Sequence, residues 1–217
     1  MNSCGLSEDK AISASKKIHF ETSSRPDSVV TFLESNGFTK SYISKLITCR
    51  PGLLFADPHK TLKPKLEFFN SRGLSGLDLA KVLSKDPLLL NTSLENQIIP
   101  TFAFLKSILH TDSNVVTSLK RSTSVLRQDP GKCLVPNIRV LRDLGVPESN
   151  ITTLLISQPR VFAINAGRFE EFVEEIKGMG FDPLQYTFVL AIHGLTSMTK
   201  SFYLGIKSGC LQEMGLV

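Results

Sequence analysis

Residues 51–90 read PGLLFADPHKTLKPKLEFFNSRGLSGLDLAKVLSKDPLLL, and Pro51 and Pro87 bracket one unit of a repeat. Each proline leads an apolar run, Gly52-Leu53-Leu54-Phe55 and Leu88-Leu89-Leu90-Asn91, and the pattern returns at Pro159 with Arg160-Val161-Phe162-Ala163. The separations are 36 residues and twice 36, and the skipped position carries Thr123, ahead of Ser124-Val125-Leu126-Arg127. A second proline column runs Pro64, Pro100 and Pro136. Self-similarity at such a fixed period marks stacked supersecondary units, none of which can bury its apolar face alone.

Within a unit the punctuation is helical. Asp57, Ser93, Asp129 and Asn165 occupy one column, and their side chains accept from the free N–H groups that open a helix; Pro58 and Pro130 follow two of them. This first helix carries Leu62, Leu66 and Phe69 on its apolar side and ends near Gly73, or near Gly145 in the third unit, where a left-handed cap fits. The prolines inside it should kink it. Thr39, Ser75, Thr111 and Pro147 then open a second helix, with Leu79, Val82 and Leu83, or Ile151, Leu154 and Leu155, in one apolar stripe. The first-column proline stops that helix, and Thr123 in its place should shift the helix end locally.

The expected fold is therefore all-α: a right- or left-handed solenoid of about four 36-residue units, each two helices and a short apolar 3₁₀-like turn. The repeat domain is expected over residues 26–198. Residues 1–25, rich in Ser and charge, should be poorly ordered apart from a short helix over Lys10–Lys17, and residues 199–217, with Gly205, Gly209 and Gly215, should be frayed or truncated.

Composition narrows the class. Of 217 residues 41% are hydrophobic and 21% charged, and no stretch approaches the roughly 18 apolar residues of a membrane span, so a soluble monomer without membrane contact is expected. The net charge of +5 is uneven: residues 39–142 carry net +9 and the remainder net −4. Such a middle favours polyanions. Cys4, Cys49, Cys133 and Cys210 lie too far apart for a metal knuckle or a small disulfide scaffold and read as reduced thiols. Met1 to Lys10 lacks a signal-peptide core, and Glu8 and Asp9 do not suit a transit peptide, so no address label is recognisable.

The proline columns, together with Gly37-Phe38-Thr39, Leu62-Lys63-Pro64-Lys65-Leu66 and Gly145-Val146-Pro147, resemble the mitochondrial transcription termination factor (mTERF) family over about Pro26 to Met198. Lys16-Lys17-Ile18-His19-Phe20 and Ser93-Leu94-Glu95-Asn96-Gln97-Ile98-Ile99-Pro100 look most like its plant branch. The resemblance implies a helical superhelix that enters mitochondria or chloroplasts and binds DNA or RNA in transcription, termination or RNA processing, beside other organellar gene-expression proteins. The family pattern also has a transit peptide and a further basic helix, and both ends are shorter here, while Thr123 departs from its usual proline.

A basic column at one-repeat spacing suits regularly placed phosphates. The first is Lys60, Lys132 and Arg168, interrupted by Asn96, in the first turn of the first helix, where free N–H groups would also meet an anion; a solvated face is the competing reading. Lys45 with Lys81, and Lys85 with Arg121, lie near the end of the second helix, where structural capping and phosphate contact are both open. Arg139 and Arg142 form an exposed i, i+3 pair, for which simple solvation is the alternative. The fourteen Phe mostly fall in stripe positions, such as Phe32, Phe68, Phe69, Phe102 and Phe104, that read as core rather than as stacking platforms.

No catalytic chemistry is expected. His19, His59, His110 and His193 have no Cys or acidic partners at ligand spacing, so neither a metal nor a cofactor is expected, and there is no GxxxxGK[ST], GxGxxG or GxSxG. Glu170, Glu171, Glu174 and Glu175 read as a solvated outer face rather than paired catalytic carboxylates. A protein-interaction scaffold remains the alternative function, since helical solenoids commonly hold other proteins.

Overall fold

The computed structural model describes residues 24–207, and every described element is helical, with no strand among these residues. In order they are α1 (Ser24–Ser35), α2 (Lys40–Cys49), a 3₁₀ turn (Pro51–Phe55), a π turn (Pro58–Leu62) running into α3 (Lys63–Ser71), and α4 (Gly76–Lys85). A second 3₁₀ turn (Pro87–Asn91) and π turn (Leu94–Ile98) lead into α5 (Ile99–Leu109), followed by α6 (Asp112–Arg121) and the single-turn α7 (Ser124–Arg127). Then come α8 (Leu134–Asp143), α9 (Glu148–Ser157), a 3₁₀ turn (Pro159–Ala163), α10 (Ala166–Gly178) and α11 (Tyr186–Lys207). The chain divides after Arg127 into two compact units. Residues 1–23 and 208–217, which include the expected Lys10–Lys17 helix, Gly209 and Gly215, lie outside the described residues. No described helix is long and apolar enough to cross a membrane.

The capping column behaves as its chemistry dictates. Asp57 accepts from the N–H groups of His59 and Lys60, Ser93 from Asn96, Asp129 from Gly131 and Asn165 from Gly167. At the other end of the first helix Gly37, Gly73 and Gly145 adopt φ of +86°, +86° and +75°. The N–H of the next residue reaches back to a carbonyl five positions earlier, Phe38 to Leu33, Leu74 to Phe69 and Val146 to Leu141, which closes the helix in a Schellman motif. The corresponding turn after α5 is closed by His110, at φ +68°. A Cβ at Gly145 would meet nothing nearer than Leu184 Cδ2 at 3.9 Å, so space is not the obstacle there. Gly145→Ala should cost about 1 kcal/mol through backbone strain alone, whereas Gly52→Ala, at an open position without positive φ, should be nearly neutral; urea unfolding of the two variants checks this.

The second-column prolines do not act as simple kinks. Immediately before each, one turn widens so that an N–H reaches five residues back: Lys63 to Pro58, Ile99 to Leu94, and Val135 to Pro130 at 2.8 Å. Pro64, Pro100 and Pro136 lack the N–H of a regular turn, and their rings would strike the carbonyl four residues earlier, so a wider turn relieves both problems. The fourth member of the column is Phe172, which keeps its N–H, and α10 runs through it as uninterrupted α-helix.

Thr123 also differs from expectation. The helix end does not shift: α6 ends at Arg121, the same repeat position as Cys49, Lys85 and Ser157. What changes is the next segment, an α turn in place of a 3₁₀ turn, held by the Thr123 hydroxyl donating to Asp86 Oδ2 at 2.6 Å. Arg127 Nε lies 2.7 Å from the same oxygen.

The core repeats with the period. Leu33, Phe69, Leu105 and Leu141 occupy one first-helix position, and Ile43, Leu79, Val115 and Ile151 one second-helix position; all are buried. Each such side chain contributes on the order of 1.5–3 kcal/mol of transfer free energy, which makes the stack rather than any single helix the stable object. In the first unit α2 packs on α4 and α4 on α6; in the second, α8 packs on α10 and α9 on α11. Lys65 and Asn137, two periods apart, are polar members of an inward column: the Lys65 ammonium donates to the Leu90 carbonyl, and Asn137 Nδ2 donates to those of Ile164 at 2.8 Å and Phe162 at 3.4 Å. Burial holds the Lys65 pKa below the ordinary lysine range.

Candidate nucleic-acid interface

The first-helix column comprises Lys60, Lys132 and Arg168. Some of its opening N–H groups are taken by the capping side chains, including that of Lys60 itself, bound to Asp57 Oδ1 at 3.2 Å. Arg168, exposed, lies along its own helix, its guanidinium 4.4 Å from the Phe172 ring centroid and paired with Glu171. Lys60, in the first unit, and Lys132, in the second, are exposed and make no ion pair with a described residue.

Arg139 and Arg142 are likewise engaged. Arg139 Nε lies 3.5 Å from Asp143 Oδ2 one turn away, with both groups largely in solvent. Arg142 holds Glu148 with two parallel bonds, Nε to Oε2 at 3.0 Å and Nη2 to Oε1, across the Gly145-Val146-Pro147 corner. That hydrogen bond raises the Arg142 pKa above the ordinary guanidinium value. One period earlier Lys106 and Asp112 stand 3.0 Å apart across the His110 corner, joined by Arg72 at 3.5 Å. Sequence reasoning missed these corner clamps; their signal is a cation six residues ahead of an acid on either side of a left-handed cap. The Lys106 hydrogen bond, against a smaller opposing effect of burial, keeps the Asp112 carboxyl below the usual range.

The second-helix cations are different. Lys45 on α2, Lys81 and Lys85 on α4, and Arg121 on α6 are all exposed, on the faces opposite Ile43, Leu46 and Ile47 and their equivalents. Because α2 packs on α4 and α4 on α6, these positions fall along one row of the first unit. One closing carbonyl of each of the three helices accepts from a backbone N–H, Leu46 from Arg50, Val82 from Asp86 and Ser118 from Ser122. Lys45 lies 5.9 Å from the Tyr42 ring centroid. None of the four makes an ion pair with a described residue. Two acids border the row: Asp78 binds Lys120 at 2.6 Å, and Asp86 binds Arg127 and Thr123.

Phe69 and Phe102 are buried; Phe68, half-buried, packs edge-on against both, and the Arg72 guanidinium lies 5.5 Å from its ring centroid. Phe32, half-buried, meets His59 edge-on, and Phe104 is half-buried. Among the described residues no group of three or more His, Cys, Asp or Glu could hold a metal ion. Cys49 and Cys133 are free thiols. Of the acidic cluster, Glu171 pairs with Arg168 and Glu174 with Lys177 on the exposed face of α10.

Stacked helical pairs recurring at one period define an all-α helical-repeat protein. The mTERF family model matches residues 30–193, and the chain belongs to the mTERF family. That membership carries a nucleic-acid-binding role in organellar gene expression. No curated protein matches the chain significantly.

Proposed function

We propose that this chain binds the phosphate backbone of DNA or RNA through the second-helix row of its first unit. Lys45, Lys81, Lys85 and Arg121 are the contacts and Lys60 is a flanking cation, while Lys132 offers a separate cation in the second unit. The observation that carries the reading is that the four row cations lie on neighbouring stacked helices without acidic partners, while most other cations around them are already paired. Arg139, Arg142 and Arg168 serve the corners and helix faces of the second unit instead. Phosphate contacts set position and carry no sequence information, so the row supplies affinity and steering rather than base choice. The work it performs is transcription, termination or RNA processing in a mitochondrion or chloroplast, and the plant-branch likeness of Lys16–Phe20 and Ser93–Pro100 supports that setting.

Fluorescence-anisotropy titrations with duplex DNA and single-stranded RNA at a series of salt concentrations test it. Four contacts should give a slope of log affinity on log salt of about −3.6 for duplex and about −2.8 for single strands. Immeasurably weak binding at low salt sinks the reading. A second reading, a protein-binding scaffold, draws on the exposed Met179, Phe181, Leu184, Tyr186 and Leu190 of the second unit. A protein partner retained after nuclease treatment, beside poor nucleic-acid binding, would favour it.

A further inference from the structure

Asp78 borders the basic row. It shares one exposed stripe of α4 with Lys81 and Lys85, at i, i+3 and i+7, and its Oδ2 lies 2.6 Å from Nζ of Lys120, the residue just before Arg121 on α6. Both partners are solvent-exposed, Lys120 at 43% and Asp78 at 58% of the side chain, and an ion pair of that kind contributes little to stability. Nor is the charge needed to stack these helices. One period earlier, at the same two positions, α4 meets α2 through the Ser84 hydroxyl donating to the Tyr42 backbone carbonyl at 3.4 Å, an uncharged contact. Elsewhere in the column the acid is absent, the equivalents of Asp78 being Tyr42, Asn114 and Asn150.

We propose that Asp78 is an internal competitor for the phosphate backbone, holding Lys120 out of the row in the free protein and so setting the affinity of the row below what its cations could give. This rests on the interface proposed above. A polyanion approaching Lys81, Lys85 and Arg121 meets one carboxylate at their border and a neighbouring ammonium already occupied. Removing the carboxylate charge takes away a repulsion and releases a cation at the same step. Asp78 is thus a positioning residue that acts through Lys120, and it also lies within the field of Lys81.

The test uses the full chain and a short duplex DNA, with Asp78→Asn, Lys120→Ala, the double variant combining them, and Lys81→Ala with Lys85→Ala. Affinity is measured at several salt concentrations and melting temperature alongside. Asp78→Asn should bind about three- to tenfold more tightly at low salt, with a slope steeper by roughly 0.9, one phosphate contact, and an unchanged melting temperature. Most of the gain should vanish when Lys120 is alanine. If Asp78→Asn binds no more tightly while the Lys81/Lys85 variant binds more weakly, the competitor role is overturned and the interface stands. A gain of equal size in the Lys120→Ala background overturns the assignment to Lys120. If the Lys81/Lys85 variant leaves affinity and slope unaltered, the interface itself fails.

Discussion

Replacing Lys81 and Lys85 together by alanine is expected to weaken duplex DNA binding roughly sixtyfold at 0.1 M salt and to flatten the salt dependence by about 1.8. The magnitude follows from counterion release. Each neutralised phosphate contributes about 0.9 to the slope, hence roughly a factor of eight for every tenfold fall in salt, and for two phosphates left unneutralised the factors multiply to about sixty between 1 M and 0.1 M. The loss should be similar for unrelated sequences, because phosphate contacts are blind to bases. Folding should be untouched, as both side chains lie on the outward face of α4 away from Leu79, Val82 and Leu83. Arg142→Ala is the informative control: it removes a positive charge, yet Arg142 is bound to Glu148, so the salt slope should hold. Equal losses for the two variants would mean that net charge, not the row, carries the binding.

Phe162→Ala should destabilise the second unit by about 3–5 kcal/mol, the usual range for a buried aromatic truncated in a core. Phe162 is fully buried, its ring 6.2 Å from that of Phe169 and its backbone carbonyl held by Asn137. The repeat supplies a sharper comparison. Leu54, Leu90 and Leu126 fill the same position in the preceding repeats, all buried, so Phe162→Leu should cost less than about 1.5 kcal/mol if the periodic register governs the packing. Urea unfolding of the two variants decides it. Equal losses for alanine and leucine would show that this position is shaped by the ring alone and not by the repeat.

Much of the scaffold is legible in the chain itself because its determinants are local. Capping by Asp57, Ser93, Asp129 and Asn165 involves N–H groups two or three residues away, and the glycine caps at Gly37, Gly73 and Gly145 depend on a backbone angle that few other residues adopt. The inward stripes follow from helical spacing, and the 36-residue period repeats them. Local reading reached its limit at Pro64, Pro100 and Pro136, where the missing N–H was foreseen but not the widened turn that absorbs it. Ser75 stands at the helix start where it was read, but without a side-chain bond, the next residue, Gly76, taking φ +53°.

The charged residues divide along the same line. Which positions are basic, and at what interval, is a property of the sequence, and so is the membership in a helical-repeat family that the interval betrays. Which of those cations remain free was settled only by tertiary structure. Lys120 finds Asp78 at a separation of 42 residues, Arg72 finds Asp112 at 40, and Arg142 finds Glu148 across a corner, whereas Lys45, Lys81, Lys85 and Arg121 form no ion pair with a described residue. An ion pair forms between side chains that the packing brings within about 4 Å, and one-dimensional spacing does not encode that distance once the chain has turned back on itself.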